Sequence, residues 1–159
     1  MAMRPRSARR SDGPRSIVLA TKVHEHNLSY ADVLATTAES RERVRVDVVD
    51  LLYVHWPLKA YHPAETLRAF DELVDDGTIR NVGVSNFTPE LLAESHDHLC
   101  APIATTQVEM HPLLPQHELR EYTPDHDIQL VAYAPLMAGA IFDGPEVVSV
   151  ADKHGVSAP

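Results

Sequence analysis

The sequence predicts an α/β fold built on a parallel sheet, and three observations carry that expectation. Five short apolar runs alternate with stretches of helical periodicity. The runs recur at intervals of roughly 25–30 residues, with no hairpin signal between them, which is the rhythm of βα units. No glycine-rich G-x-G-x-x-G follows the first run, which disfavours a dinucleotide-binding Rossmann unit. Periodicity alone leaves open whether the sheet is a barrel segment or a doubly wound open sheet.

The first strand is read at IVLATKV, residues 17–23, a β-branched and continuous run suited to burial on both faces. Ser29 then caps a helix over ADVLATTAESRERVRV. VVDLLYVHW, 48–56, is the second strand and stops at Pro57. PAETLRAFDELVDDG follows, with Leu67, Phe70, Leu73 and Val74 at helical spacing and Gly77 as terminator. IRNVGVSN, 79–86, is the third strand, after which Thr88 caps a helix that has Pro89 at its first position. ATTQVEMH, 104–111, and IQLVAYAPL, 128–136, are the fourth and fifth, separated by a weaker helix interrupted at Pro124. EVVSVADKHG closes the series as a helix.

Composition narrows the partners. Residues 1–15 carry five arginines and one acid, a net +4; the rest carries 9 basic and 22 acidic residues, a net −13, together the stated −9. An acidic body disfavours a nucleic-acid backbone. Three lysines beside 23 acids hint at a salt-adapted host. The basic start reads either as a transit-like or nucleic-acid-binding arm or, with almost no apolar residues to pack, as an unstructured tail; the tail is favoured, with a domain over 16–159. No apolar run approaches the about 18 residues of a membrane span, and the single Cys100 excludes an internal disulfide, so a reducing cytoplasm is expected.

Working residues of a barrel gather where its strands end. Here those ends hold Thr21-Lys22, His55-Trp56, Ser85-Asn86, then Gln107, Glu109 and His111, and finally Tyr133. Each residue alone has a structural explanation: a histidine beside a tryptophan is often a satisfied structural residue. Polar groups ending all five strands together are harder to explain structurally. A lysine closing an apolar strand is costly unless paired or functional. His24-Glu25-His26 and His96-Asp97-His98 could offer metal ligands, but His96 and His98 lie on a polar helix end and no second cluster has metal-site spacing. No metal is expected.

At these positions the sequence resembles the aldo-keto reductase family, of the diketogluconate-reductase and aldose-reductase kind. LATK at 19–22, LLYVHWP at 51–57, IRNVGVSNF at 79–87, QVEMHP at 107–112 and VAYAPL at 131–136 are similar to its successive strand motifs, in order and spacing. The resemblance implies a partial (β/α)8 barrel of about five βα units and NADPH-dependent reduction of an aldehyde or ketone, with NADH left open. It implies action on a small carbonyl compound and a monomer for the full-length family fold, beside the composition's own expectation of a cytoplasmic protein with neither nucleic acid nor membrane as partner. Lys22 and His55 match the family's catalytic lysine and histidine, and Trp56 matches a residue lining the substrate pocket. Ser85, Asn86 and Gln107 match the side chains holding the nicotinamide carboxamide. Tyr133 matches the ring stacked on the nicotinamide, and Pro135 and Leu136 fall in the cofactor loop.

The departures shape the expectation. The family's general-acid tyrosine and its aspartate precede the lysine, whereas the 21 residues before Lys22 contain no tyrosine. Its 2′-phosphate site would follow the last residue here. Ala134 and Met137 stand where the family usually has serine and glycine. The chain is therefore read as truncated at both ends and crippled as a catalyst, the alternative being a non-catalytic βα fragment that binds nucleotide or a partner.

Overall fold

The computed structural model describes residues 17–158. The basic start lies outside that range. Five strands, β1 (Ala20–Val23), β2 (Leu51–Val54), β3 (Val82–Ser85), β4 (Ile103–Glu109) and β5 (Gln129–Tyr133), form one sheet in the order β1-β2-β3-β4-β5. Every neighbouring pair is parallel. A strictly sequential order has no reversal point, which separates a barrel arc from a doubly wound sheet.

Five α-helices accompany the strands: α1 (Tyr30–Val44), α2 (Pro63–Asp75), α3 (Pro89–Ser95), α4 (His117–Tyr122) and α5 (Pro145–His154). The expected caps form. Ser29 Oγ accepts from the Asp32 N–H at 3.3 Å, and Thr88 Oγ1 accepts from the Leu91 N–H at 3.4 Å. Gly77 takes φ +76, where a side chain would be strained, and so ends the α2 region. Pro124 stops α4 in a short 3-10 turn, Thr123–His126. Glu25–Asn27 is a further 3-10 turn, and Met137–Asp143 holds 3-10 turns broken at Ala138, φ 53, and Gly139, φ 96.

The strands are shorter than the apolar runs that predict them. Ile17 and Val18 are exposed, and Val49 and Ile79 meet only in an isolated bridge. Before β2 the backbone pairing continues, with the Asp50 N–H donating to the Leu19 carbonyl at 3.1 Å, and the Asp50 carboxylate adds to it by accepting from the Leu19 N–H at 3.1 Å and from Arg80 Nε at 3.0 Å.

One face of the sheet makes the core. Val23, Leu52, Val54, Val82, Val84 and Val108 cluster with Val33, Leu67, Phe70, Leu73, Leu92 and Leu119 from the helices, all buried. Alternation sends the intervening residues to the other face. There the sheet is strongly curved. In a flat sheet β1 and β4 would lie about 14 Å apart, three strand spacings. Yet Lys22 Nζ on β1 donates to Gln107 Oε1 on β4, and Thr105 Oγ1 on β4 donates to the Tyr53 hydroxyl on β2 at 2.8 Å. This concave face corresponds to a barrel interior.

Gly83 makes the second of those contacts feasible. A Cβ there would lie 2.6 Å from Cδ1 and Cε1 of the Tyr53 ring, which crosses β3 to reach Thr105. Gly83→Ala should therefore destabilise the fold by about 1–3 kcal/mol, the usual cost of overpacking. Urea unfolding checks it, and a simultaneous Tyr53→Leu should recover part of the loss.

Candidate active site

The concave face and the rim above it assemble most of the residues singled out at the strand ends. Ser85, closing β3, is buried, and its hydroxyl donates to the Gln107 carbonyl at 2.8 Å. Asn86 follows in the left-handed region, φ 64, which asparagine tolerates better than most side chains. That turn lets its amide Nδ2 donate to the His55 carbonyl at 3.0 Å and to Ser85 Oγ at 3.2 Å. Its Oδ1 accepts from the Tyr133 hydroxyl at 3.0 Å. The ends of β2, β3, β4 and β5 are thus tied by one polar network.

Lys22 joins the network through Gln107 and lies over the Tyr53 ring, 4.3 Å from its centroid. Lys22 is exposed, not buried, so its ammonium keeps contact with water and costs less than a closed strand end would. Desolvation against the sheet still draws its pKa below the usual 10.5. His55, half-buried, has Nδ1 3.9 Å from Glu25 Oε2. Burial holds its imidazole below the usual 6.5, and the nearby Lys22 ammonium adds to that, while Glu25 acts in the opposite sense. The ring is therefore neutral at pH 7 and able to donate a hydrogen bond without carrying charge. A ¹H–¹⁵N titration of His55 should give a midpoint below 6.5. In Lys22→Met that midpoint should rise, because a like charge is removed; an unmoved midpoint would deny the coupling.

Trp56, Asn86 and Tyr133 line one cavity of about 300 Å³ with Phe87, Val108 and Leu119 beneath them. That volume is at the lower end for small-molecule sites, and the lining mixes apolar walls with Asn86, Thr88, Glu109, Gln116, Glu118 and Tyr133. Lys22, His55, Ser85, Gln107, Pro135 and Leu136 do not line this cavity. Pro135 lines a separate apolar recess with His111 and Arg120, and Leu136 is exposed. The loop after β5 holds Ala134 at φ 47 and Met137 at φ 50, both left-handed. A methionine held there is strained by about 1–2 kcal/mol, where glycine would not be.

Two contributors escaped the sequence reading. Tyr53 forms the floor under Lys22; the only sign of it was a polar-tipped residue inside an otherwise aliphatic LLYV run. Glu25 sits between His24 and His55, in a turn with no periodic pattern to place it. Among the described residues no tyrosine hydroxyl is seen to meet Lys22. Tyr53 offers it a ring face and spends its hydroxyl on Thr105, and the Tyr133 hydroxyl is engaged by Asn86. No described helix is long and apolar enough to cross a membrane.

Comparison with known proteins agrees with this geometry. A model of the Aldo/keto reductase family matches residues 6–149. An aldo-keto reductase of Mycobacterium sp. (strain JLS) is 41% identical over 143 residues, covering 89% of this chain and 52% of that protein. The crystal structure of a putative 2,5-diketo-D-gluconic acid reductase B superimposes with a TM-score of 0.82 at 33% identity, over 89% of this chain and 50% of the other. A mutant of Gox0644 in complex with NADPH gives 0.79 at 32% identity, over 89% and 53%. The chain spans about half the length of the curated relatives it matches.

Proposed function

This chain belongs to the aldo/keto reductase family, a family of oxidoreductases, and we propose that its concave face binds NADPH and a small aldehyde or ketone for reduction to the alcohol. The observation that carries the reading is the single polar network linking Lys22, Ser85, Asn86, Gln107 and Tyr133 beside the cavity under Trp56. The donor set fits the nicotinamide end of the cofactor. A hydroxyl and two side-chain amides suit a neutral carboxamide, and Tyr133 offers a flat ring for stacking. NADPH in complex with a relative of similar fold supports the choice of cofactor.

When bound, NADPH supplies the hydride. The protein's share is orientation and proton control. His55, neutral at pH 7, donates to the carbonyl oxygen and fixes its direction. Lys22 places a positive charge beside the oxygen that gains the proton, favouring ionisation of the acid that delivers it. Trp56 shields the substrate from water. Pro135 and Leu136 would reach the cofactor only through the loop after β5.

Among the described residues no tyrosine hydroxyl is seen beside Lys22 to serve as the proton donor. The first reading therefore expects slow turnover by the chain alone, loss of a general acid costing about 10²–10⁴ in rate. The same observation favours the second reading, a scaffold that binds nucleotide without catalysis. Fluorescence titration with NADPH and with NADH, followed by an aldehyde-dependent oxidation assay, separates them. Binding with slow turnover supports the first reading, and binding with none supports the second. Failure to bind either dinucleotide would overturn both. Tyr133→Ala should weaken binding by about 1–3 kcal/mol, the scale of a lost stacking contact; an unchanged dissociation constant would refute the stacking role.

A further inference from the structure

We infer that the turn after β1 is a binding site for a divalent transition ion of the zinc type, held by His24, Glu25 and His26. The spacing of these residues in sequence gave no such expectation; the fold supplies it. The 3-10 turn Glu25–Asn27, with His24 as its cap, gathers the three side chains so that one ligand atom from each lies within 4.8 Å of the others. His24 Nε2 stands 3.3 Å from Glu25 Oε2. Donors at about 2.0–2.1 Å from a tetrahedral ion are about 3.4 Å apart, so this pair already has the separation a shared ion imposes.

The turn is also held in place. Its backbone is tied to the loop after β2 by the Ala60 N–H to the Glu25 carbonyl at 3.1 Å, and the strand before it by the His55 N–H to the Val23 carbonyl at 3.1 Å. The His24 and His26 rings stack at 5.4 Å between centroids, and the His55 ring lies 5.9 Å from His24. Two imidazoles and one carboxylate suit zinc, nickel or copper over magnesium or calcium, which prefer all-oxygen sets. Binding at His24 Nε2 moves that ring's proton to Nδ1. It gives up the direct Nε2 contact with Glu25 at 3.3 Å, which the shared ion would replace, and the long 3.4 Å contact from the His26 N–H. Glu25 Oε2 is also 3.9 Å from His55 Nδ1, so an ion here would sit beside the strand-end histidine.

Calorimetric titration of the whole chain with zinc chloride tests the site, and cobalt chloride provides a visible absorption signature of tetrahedral nitrogen and oxygen ligation. One ion per chain is expected. Loss of an outer-shell partner already weakens metal sites by about 10–100-fold, so His24→Ala/His26→Ala should weaken binding by at least that much. Glu25→Gln should weaken it too, whereas His96→Ala/His98→Ala should not. His24 and His26 are exposed, so the double variant should retain its circular dichroism spectrum. An absent zinc response, or one unchanged in the double variant, would overturn the site. Because ion binding is read directly, the outcome does not depend on whether the chain reduces carbonyls.

Discussion

Lys22→Met should lower carbonyl reduction by about 10²–10⁴, the range for loss of acid–base assistance, while leaving NADPH affinity little changed. Methionine keeps most of the length and shape of the stem that runs along the Tyr53 ring, but it removes the ammonium that lies 4.3 Å from that ring's centroid and donates to Gln107. On the proposed role, what is lost is charge beside the reacting oxygen, with packing nearly preserved. The large effect is best read in a chimaera in which the Mycobacterium aldo-keto reductase supplies the part of its length that this chain does not span. Single-turnover rates with NADPH and an aldehyde give the chemical step, and fluorescence gives the cofactor dissociation constant. Retention of most of the rate would refute the role assigned to Lys22. A comparable loss in NADPH affinity would make the residue a cofactor ligand.

Phe70→Ala should remove about 3–5 kcal/mol of stability, at the upper end for a large buried side chain. Phe70 is fully buried on α2, in the same cluster as Leu52, Val82 and Leu92, so truncation leaves a cavity between helix and sheet. Against a typical total of about 5–15 kcal/mol, such a loss leaves a domain that is marginal at best. Urea denaturation of wild type and variant, followed by tyrosine fluorescence and far-ultraviolet dichroism together, measures it. A shift of less than about 1 kcal/mol would mean that the helices are not packed on the sheet as described.

Much of this protein was determined by the sequence by itself. The five strands, four of the five helices, the caps at Ser29 and Thr88 and the break at Pro124 rest on local chemistry: β-branched runs, 3.6-residue periodicity, hydroxyls that satisfy free N–H groups and a proline that cannot donate. The fifth helix, α5, was likewise read at EVVSVADKHG, and its start at Pro145 falls just ahead of that run. The polar strand ends at Lys22, His55, Ser85, Asn86, Gln107 and Tyr133 were legible for the same local reason, since each interrupts or ends an apolar run.

Tertiary structure decided what depends on curvature and register. Sequence periodicity could not choose between an arc of a barrel and an open sheet, because both bury identical strands; the sequential order of all five strands did. Nothing local foretold that Tyr53 would cross Gly83 to meet Thr105, or that Lys22 would reach Gln107 from three strands away. Nor could spacing show that His24, Glu25 and His26 turn their ligand atoms toward one another, or that Glu25 also stands beside His55. Local pattern fixes which way a side chain points along its own strand. Which distant side chain it meets is set by the bending of the sheet, a sum of small twists and packing forces that no single stretch of sequence contains.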